Sequence, residues 1–92
     1  LGGDEFVIVL PDTGREGAEK TAQRIREAVE DTSFSCEESS LKVTASFGVS
    51  AYEAGGDADH IEAQDLIDSS DAYLYDAKDA GRNRVISGPL VS

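Results

Sequence analysis

Two short segments of this chain hold the residue types that could do chemistry. Gly2-Gly3-Asp4-Glu5-Phe6 sets two glycines and two acids against an apolar run. Much further along, Asp71-Ala72-Tyr73-Leu74-Tyr75-Asp76-Ala77-Lys78-Asp79-Ala80-Gly81-Arg82-Asn83 offers two cations, Lys78 and Arg82, four residues apart. Glycine lacks a Cβ, so the backbone at Gly2 and Gly3 can approach a ligand closely. Asp4 and Glu5 supply carboxylate oxygens, which magnesium takes together with substrate oxygens and water. Acids for a divalent metal and cations for phosphate together suggest a nucleoside triphosphate site. Each segment also has a plainer reading. Gly2-Gly3 fits a hairpin turn, Lys78 and Arg82 fit cations at a helix C-terminus, and Tyr73, Leu74 and Ala77 fit a core-facing stripe.

The bulk composition narrows the field. Ninety-two residues suffice for one small domain with a modest core. Nineteen acids against eight Lys and Arg give a net charge of −11. That charge excludes a general nucleic-acid binder, which needs a basic surface to displace counterions. It equally argues against a basic helix lying on a membrane surface, and no apolar run has the length of a membrane span. A phosphate ligand stays possible where local cations and a divalent ion offset the acidic background. Cys36 is the single cysteine, so no internal disulfide forms, which fits a cytoplasmic location. His60 and Cys36 have no metal or triad spacing and read as a solvated histidine and a loop thiol. The absence of methionine makes the chain read as a piece of a longer protein.

These residues must be positioned by elements that the hydrophobic pattern predicts. Phe6–Leu10 is a continuous apolar run closed by Pro11-Asp12, the mark of a strand buried on both faces. A helix over about 15–31 follows, with Ala18, Ala22, Ile25 and Val29 inward and Glu19, Lys20, Arg24, Arg26 and Glu27 mostly facing water. Asp12 or Thr13 would cap it. Residues 32–40 read as a polar loop. Leu41, Val43, Ala45, Phe47, Val49 and Ala51 alternate with smaller or polar residues, predicting one strand over 41–51. Gly48 within it marks a close backbone approach or a bulge. After an acidic loop at 53–62, a helix over about 63–80 presents Leu66, Ser70, Tyr73, Leu74 and Ala77. Gly81 stands where a helix C-terminal glycine belongs, and Val85-Ile86 forms a short closing strand. The sum is an α/β fold, with a central antiparallel or mixed sheet and both helices packed on one face.

The two segments together resemble the GGDEF family of diguanylate cyclases, which join two GTP molecules into cyclic di-GMP. Gly2-Gly3-Asp4-Glu5-Phe6 matches the family hairpin letter for letter. The later segment is similar to the family helix Ala-Asp-x-Ala-Leu-Tyr-x-Ala-Lys-x-x-Gly-Arg-Asn, with Ser70 and Tyr73 in place of two small residues. Val43-Thr44-Ala45-Ser46-Phe47-Gly48-Val49-Ser50 looks like the family's central strand.

The resemblance implies a nucleotide-cyclase or palm-like fold. It makes Asp4 and Glu5 ligands of Mg²⁺ (or Mn²⁺), with Asp4 also a candidate base for the ribose 3′-hydroxyl. Gly2 and Gly3 would lie against the nucleotide, and Lys78 and Arg82 would hold the triphosphate. One domain holds one GTP, so a second GGDEF domain must meet it, as in a homodimer. A sensory or receiver domain would lie upstream. Residues 1–92 would be the C-terminal portion of a single GGDEF domain. Another metal-binding aspartate, the guanine contacts and an Arg-x-x-Asp feedback site would belong to residues outside this chain, leaving these residues inert alone. A catalytically inactive GTP-binding or regulatory domain is the alternative.

Overall fold

The computed structural model describes residues 8–11, 13–36, 39–52 and 62–90, with the backbone alone described at 33–36 and 39–42. Helix α1 spans Arg15–Asp31 and helix α2 spans Ala63–Asp79, close to the bounds that the periodicity predicts. Both end where local chemistry stops them. Gly14 is the N-cap of α1 and its carbonyl accepts from Ala18 N–H at 2.9 Å. Thr13 does not cap this helix; its hydroxyl donates to the Pro11 carbonyl at 2.9 Å, and Asp12 lies outside the described residues. At the other end the Thr32 hydroxyl donates to the Ala28 carbonyl at 2.6 Å. The start of α2 is held by a capping box between Glu62 and Asp65, in which the Asp65 carboxylate accepts from Glu62 N–H at 2.9 Å.

The strands depart further from expectation. Strands β1 (Ser33–Cys36) and β2 (Ser39–Lys42) form an antiparallel ladder with Phe34 opposite Leu41, and all but residues 41 and 42 of it falls where the sequence reads as a loop. Strand β3 is only Phe47–Val49, and it pairs in parallel with β4, Val85–Ser87. The alternation over 41–51 therefore divides into two strands with different partners, and 43–46 belongs to neither. Periodicity records which face a residue takes but not which strand it bonds. Among the described residues the strands form two separate two-stranded sheets, one antiparallel and one parallel. Phe6 and Val7 lie outside the described residues, and Ile8–Leu10 is not strand. Ile8 and Val9 are 54% and 78% exposed, so this run is not buried on both faces. Among the described residues no neighbouring strand supplies the ladder bonds that such a strand requires.

Three rungs join β3 to β4, Phe47 to Val85, Gly48 to Ile86 and Val49 to Ser87. Phe47 N–H donating to Arg84 and Gly88 N–H donating to Val49 continue the ladder at both ends, at 2.9 and 3.3 Å. The two helices lie on opposite faces of this pair, not on one. Val49 forms the core with Ala18 and Ala22 of α1, and Leu10, Phe47 and Val85 pack against that cluster. Ser87 donates from the same face to Glu19 of α1. Gly48 and Ser50, one residue out of phase, face α2. The Ser50 hydroxyl donates to the Leu66 carbonyl at 2.8 Å and shares a 2.7 Å hydrogen bond with Ser70. Parallel strands need a crossover connection, and α2 supplies it.

Gly48 is the tightest point of this sandwich. A Cβ there would lie 2.0 Å from the Ser70 carbonyl oxygen and 2.2 Å from the Leu74 nitrogen, both backbone atoms of α2. The close approach inferred from the glycine is therefore present. Ser69 and Ala77, both fully buried, line α2 with small side chains. We expect Gly48→Ala to force α2 off the sheet and to cost about 1–3 kcal/mol, the usual range for overpacking. Chemical denaturation followed by circular dichroism measures it; an unchanged midpoint would show that α2 yields without cost.

Candidate functional site

Gly2, Gly3, Asp4 and Glu5 lie outside the described residues, so the first segment has no described geometry. The second is described throughout. Lys78 sits half-buried in the last turn of α2, where the helix dipole favours a cation. Beyond it the helix closes by a double hydrogen bond. Gly81 N–H donates to the Lys78 carbonyl at 3.3 Å and Arg82 N–H donates to the Ala77 carbonyl at 2.9 Å. That pair is a Schellman motif, and Gly81, at φ +122°, is its glycine. The motif folds Arg82 back beside the turn that carries Lys78. The Arg82 side chain is exposed.

Arg82 and Asn83 both have positive φ, +65° and +48°. Two consecutive non-glycine residues in that region cost of order 1–3 kcal/mol each unless their surroundings hold them. Asparagine tolerates it through local hydrogen bonding; arginine has no such excuse. The surroundings do hold them. Asn83 N–H donates to the Ser46 hydroxyl at 3.0 Å, and the Arg82 carbonyl accepts from Arg84 Nε at 3.0 Å. The Asn83 amide reaches across to α1, where its oxygen accepts from Arg26 Nη1 at 2.9 Å and its nitrogen donates to Glu30. Arg26 also pairs with Glu30 at 3.5 Å and bonds Gln23 at 3.1 Å.

This network lies where the sequence suggests a solvated helix face. The Arg26 side chain is only 13% exposed, turned toward Asn83 and not toward water. The signals were present but faint: an Arg and a Glu at i and i+4 on α1, and an asparagine directly after a helix-closing glycine. Neither has meaning until the fold brings residues 26 and 83 together.

Among the described residues no group of three or more His, Cys, Asp or Glu is gathered as for a metal ion. No helix among them is long and apolar enough to cross a membrane. The closed end of α2 thus carries two cations four residues apart in the chain, Lys78 in its last turn and Arg82 just past its closing glycine.

The family model described as "Diguanylate cyclase, GGDEF domain" matches residues 1–84. The chain belongs to the GGDEF family. Its two helices and parallel strand pair are consistent with part of the GGDEF palm fold. Diguanylate cyclase A of Treponema denticola is 38% identical over 84 residues, covering 91% of this GGDEF chain and 22% of that protein. Response regulator PleD of Caulobacter vibrioides is 41% identical over 87 residues, 92% of this chain and 18% of PleD. Diguanylate cyclase DosC of Escherichia coli is 38% identical over 85 residues, 91% and 17% of the two chains. The GGDEF chain thus spans about a fifth of the length of these relatives. They place it in a family of cyclic di-GMP signalling.

Gly81 tests how far the site depends on the helix ending. A Cβ at Gly81 would meet Arg84 Nη2 at 2.8 Å, on a backbone with φ +122°. Gly81→Ala is expected to lower stability by about 1–2 kcal/mol through the positive φ alone. Thermal unfolding measures this. An unchanged Tm would mean that the helix end relaxes into another turn.

Proposed function

We propose that this chain is the C-terminal portion of a diguanylate cyclase domain, condensing two GTP into cyclic di-GMP with release of pyrophosphate. The observation that carries the reading is the helix end itself. Lys78 stands in the last turn of α2 and Arg82 directly after the glycine of its Schellman closure, in a family member whose Gly2-Gly3-Asp4-Glu5-Phe6 is intact.

In this reading Lys78 and Arg82 bind the triphosphate by charge-assisted hydrogen bonds. Arginine's fork suits two phosphate oxygens at once, while lysine acts as a point charge. Gly2 and Gly3 let the backbone lie against the nucleotide. Asp4 and Glu5 are adjacent hard-oxygen donors, a set that fits Mg²⁺ or Mn²⁺. A divalent ion held there would neutralise charge developing on the phosphoryl oxygens. Asp4 takes the proton of the ribose 3′-hydroxyl, whose oxygen attacks the α-phosphorus of the other GTP. The bond from that phosphorus to the bridging oxygen breaks, and pyrophosphate leaves. Each domain holds one GTP, so two domains face each other, and the bond forms twice. The partners are GTP, a second GGDEF domain, and a sensory or receiver domain upstream. The site of action is the cytoplasm.

The test uses the full-length protein that carries this chain, with GTP and magnesium, and product resolved by chromatography. Asp4→Ala and Glu5→Ala should each abolish cyclic di-GMP, as should chelation of the metal. Lys78→Ala should weaken GTP binding by roughly ten-fold or more, as for loss of a hydrogen bond to a charged group. A protein that binds GTP yet makes no cyclic di-GMP when dimerised would be a regulatory GTP-binding domain instead.

A further inference from the structure

We propose that Asn83 is a positioning residue for the triphosphate site, using α1 as a fixed support from which Arg82 is aimed. The inference rests on the assignment of Arg82 to the triphosphate and goes beyond it. Asn83 touches no substrate in this role.

The argument runs through the backbone. Arg82 is exposed, and its side chain carries many rotamers. A flexible cation binds phosphate well only if its root is fixed, because orientation lost in the free state must be recovered on binding. The root of Arg82 is fixed on both sides. Upstream, its N–H is tied to Ala77 of α2 at 2.9 Å. Downstream, every hydrogen-bonding group of Asn83 that the structure records leads away from α2. The N–H goes to Ser46, ahead of β3, at 3.0 Å. The side-chain oxygen goes to Arg26 of α1 at 2.9 Å, and the side-chain nitrogen goes to Glu30. Helix α1 lies on the opposite face of the β3–β4 pair from α2. Asn83 therefore links the two layers at the residue next to Arg82. The chain holds φ +65° at Arg82 only between these two anchors.

The amide of asparagine suits the position in two ways. It accepts from a cation and donates to a carboxylate at once, as the neighbouring Arg26 and Glu30 require. It also tolerates positive φ better than most residues. Aspartate keeps the tolerance but sets a carboxylate against Glu30. Glycine keeps the backbone and removes the link, which makes it the discriminating substitution.

Steady-state kinetics of the full-length protein with GTP would compare Asn83→Gly, Arg82→Ala and the double variant. Asn83→Gly should raise KM for GTP roughly ten-fold, the kind of loss that misaiming a binding group produces, with kcat changing less. The double variant should be no worse than Arg82→Ala alone, because Asn83 acts only through Arg82. Glu30→Ala, at a half-exposed position of α1, should raise KM in the same direction by less, and keeps the test independent of how Asn83→Gly folds. An Asn83→Gly enzyme with KM within about two-fold of wild type, or effects that multiply in the double variant, overturns the inference. An Arg82→Ala enzyme with unchanged KM overturns the triphosphate assignment itself, and the inference with it.

Discussion

Everything in this structure depends on the approach of α2 to Gly48. The β3–β4 pair has three rungs and runs parallel, so its strands cannot be joined by a turn. The connection must cross the sheet, and a methyl group at 48 would hold the crossover helix off β3. Glycine at 48 lets the α2 backbone come down onto the strand, with Ser69 and Ala77 buried beneath it. From that contact the position of the helix end follows. The distance from the middle of α2 to its last turn is fixed by helix geometry, so seating Ser70 and Leu74 on Gly48 also seats Lys78.

The second constraint is the reversal after α2. A helix that ends in solvent frays, and cations on a frayed turn point in many directions. Here the Schellman hydrogen bonds satisfy the last carbonyls, and the Asn83 side chain fastens the outgoing chain to α1. The exposed arginine thus stands on a turn whose backbone is hydrogen-bonded on both sides. Two strained residues in a row are the cost of this arrangement, and one of them, Arg82, is the residue proposed to meet the ligand. Backbone strain gathers at such places because the surrounding structure over-determines the conformation.

Much of this was legible in the sequence, and the rest was hidden for a common reason. Both helices could be bounded because their signals are local: apolar residues at helical spacing, and Gly81 after the last of them. Gly48 could be read as a close approach because glycine inside an alternating strand has few other uses. The strand assignments fail where pairing, and not the apolar pattern, decides. Residues 33–36 gain a partner only from 39–42, and the alternation of 41–51 gives no sign that its two halves bond different strands. The faces of the sheet are hidden because a two-residue period separates Gly48 from Val49 without saying which helix meets which. Arg26 reads as solvated for the same reason: its partner is Asn83, 57 residues away. Gly2-Gly3-Asp4-Glu5-Phe6 is legible only as a motif, since it lies outside the described residues.

The β1–β2 hairpin differs from all this, because its main contacts are between its own strands. The chain leaves α1, runs out along one strand, returns along the other and only then enters β3. Such an excursion has close-set ends, and closing a longer loop between close-set ends costs little extra entropy. The hairpin is therefore the place where the chain can change length without disturbing the Gly48 contact or the Asn83 link. A spectroscopic label or a small inserted module carried there would ride on the domain and report on it.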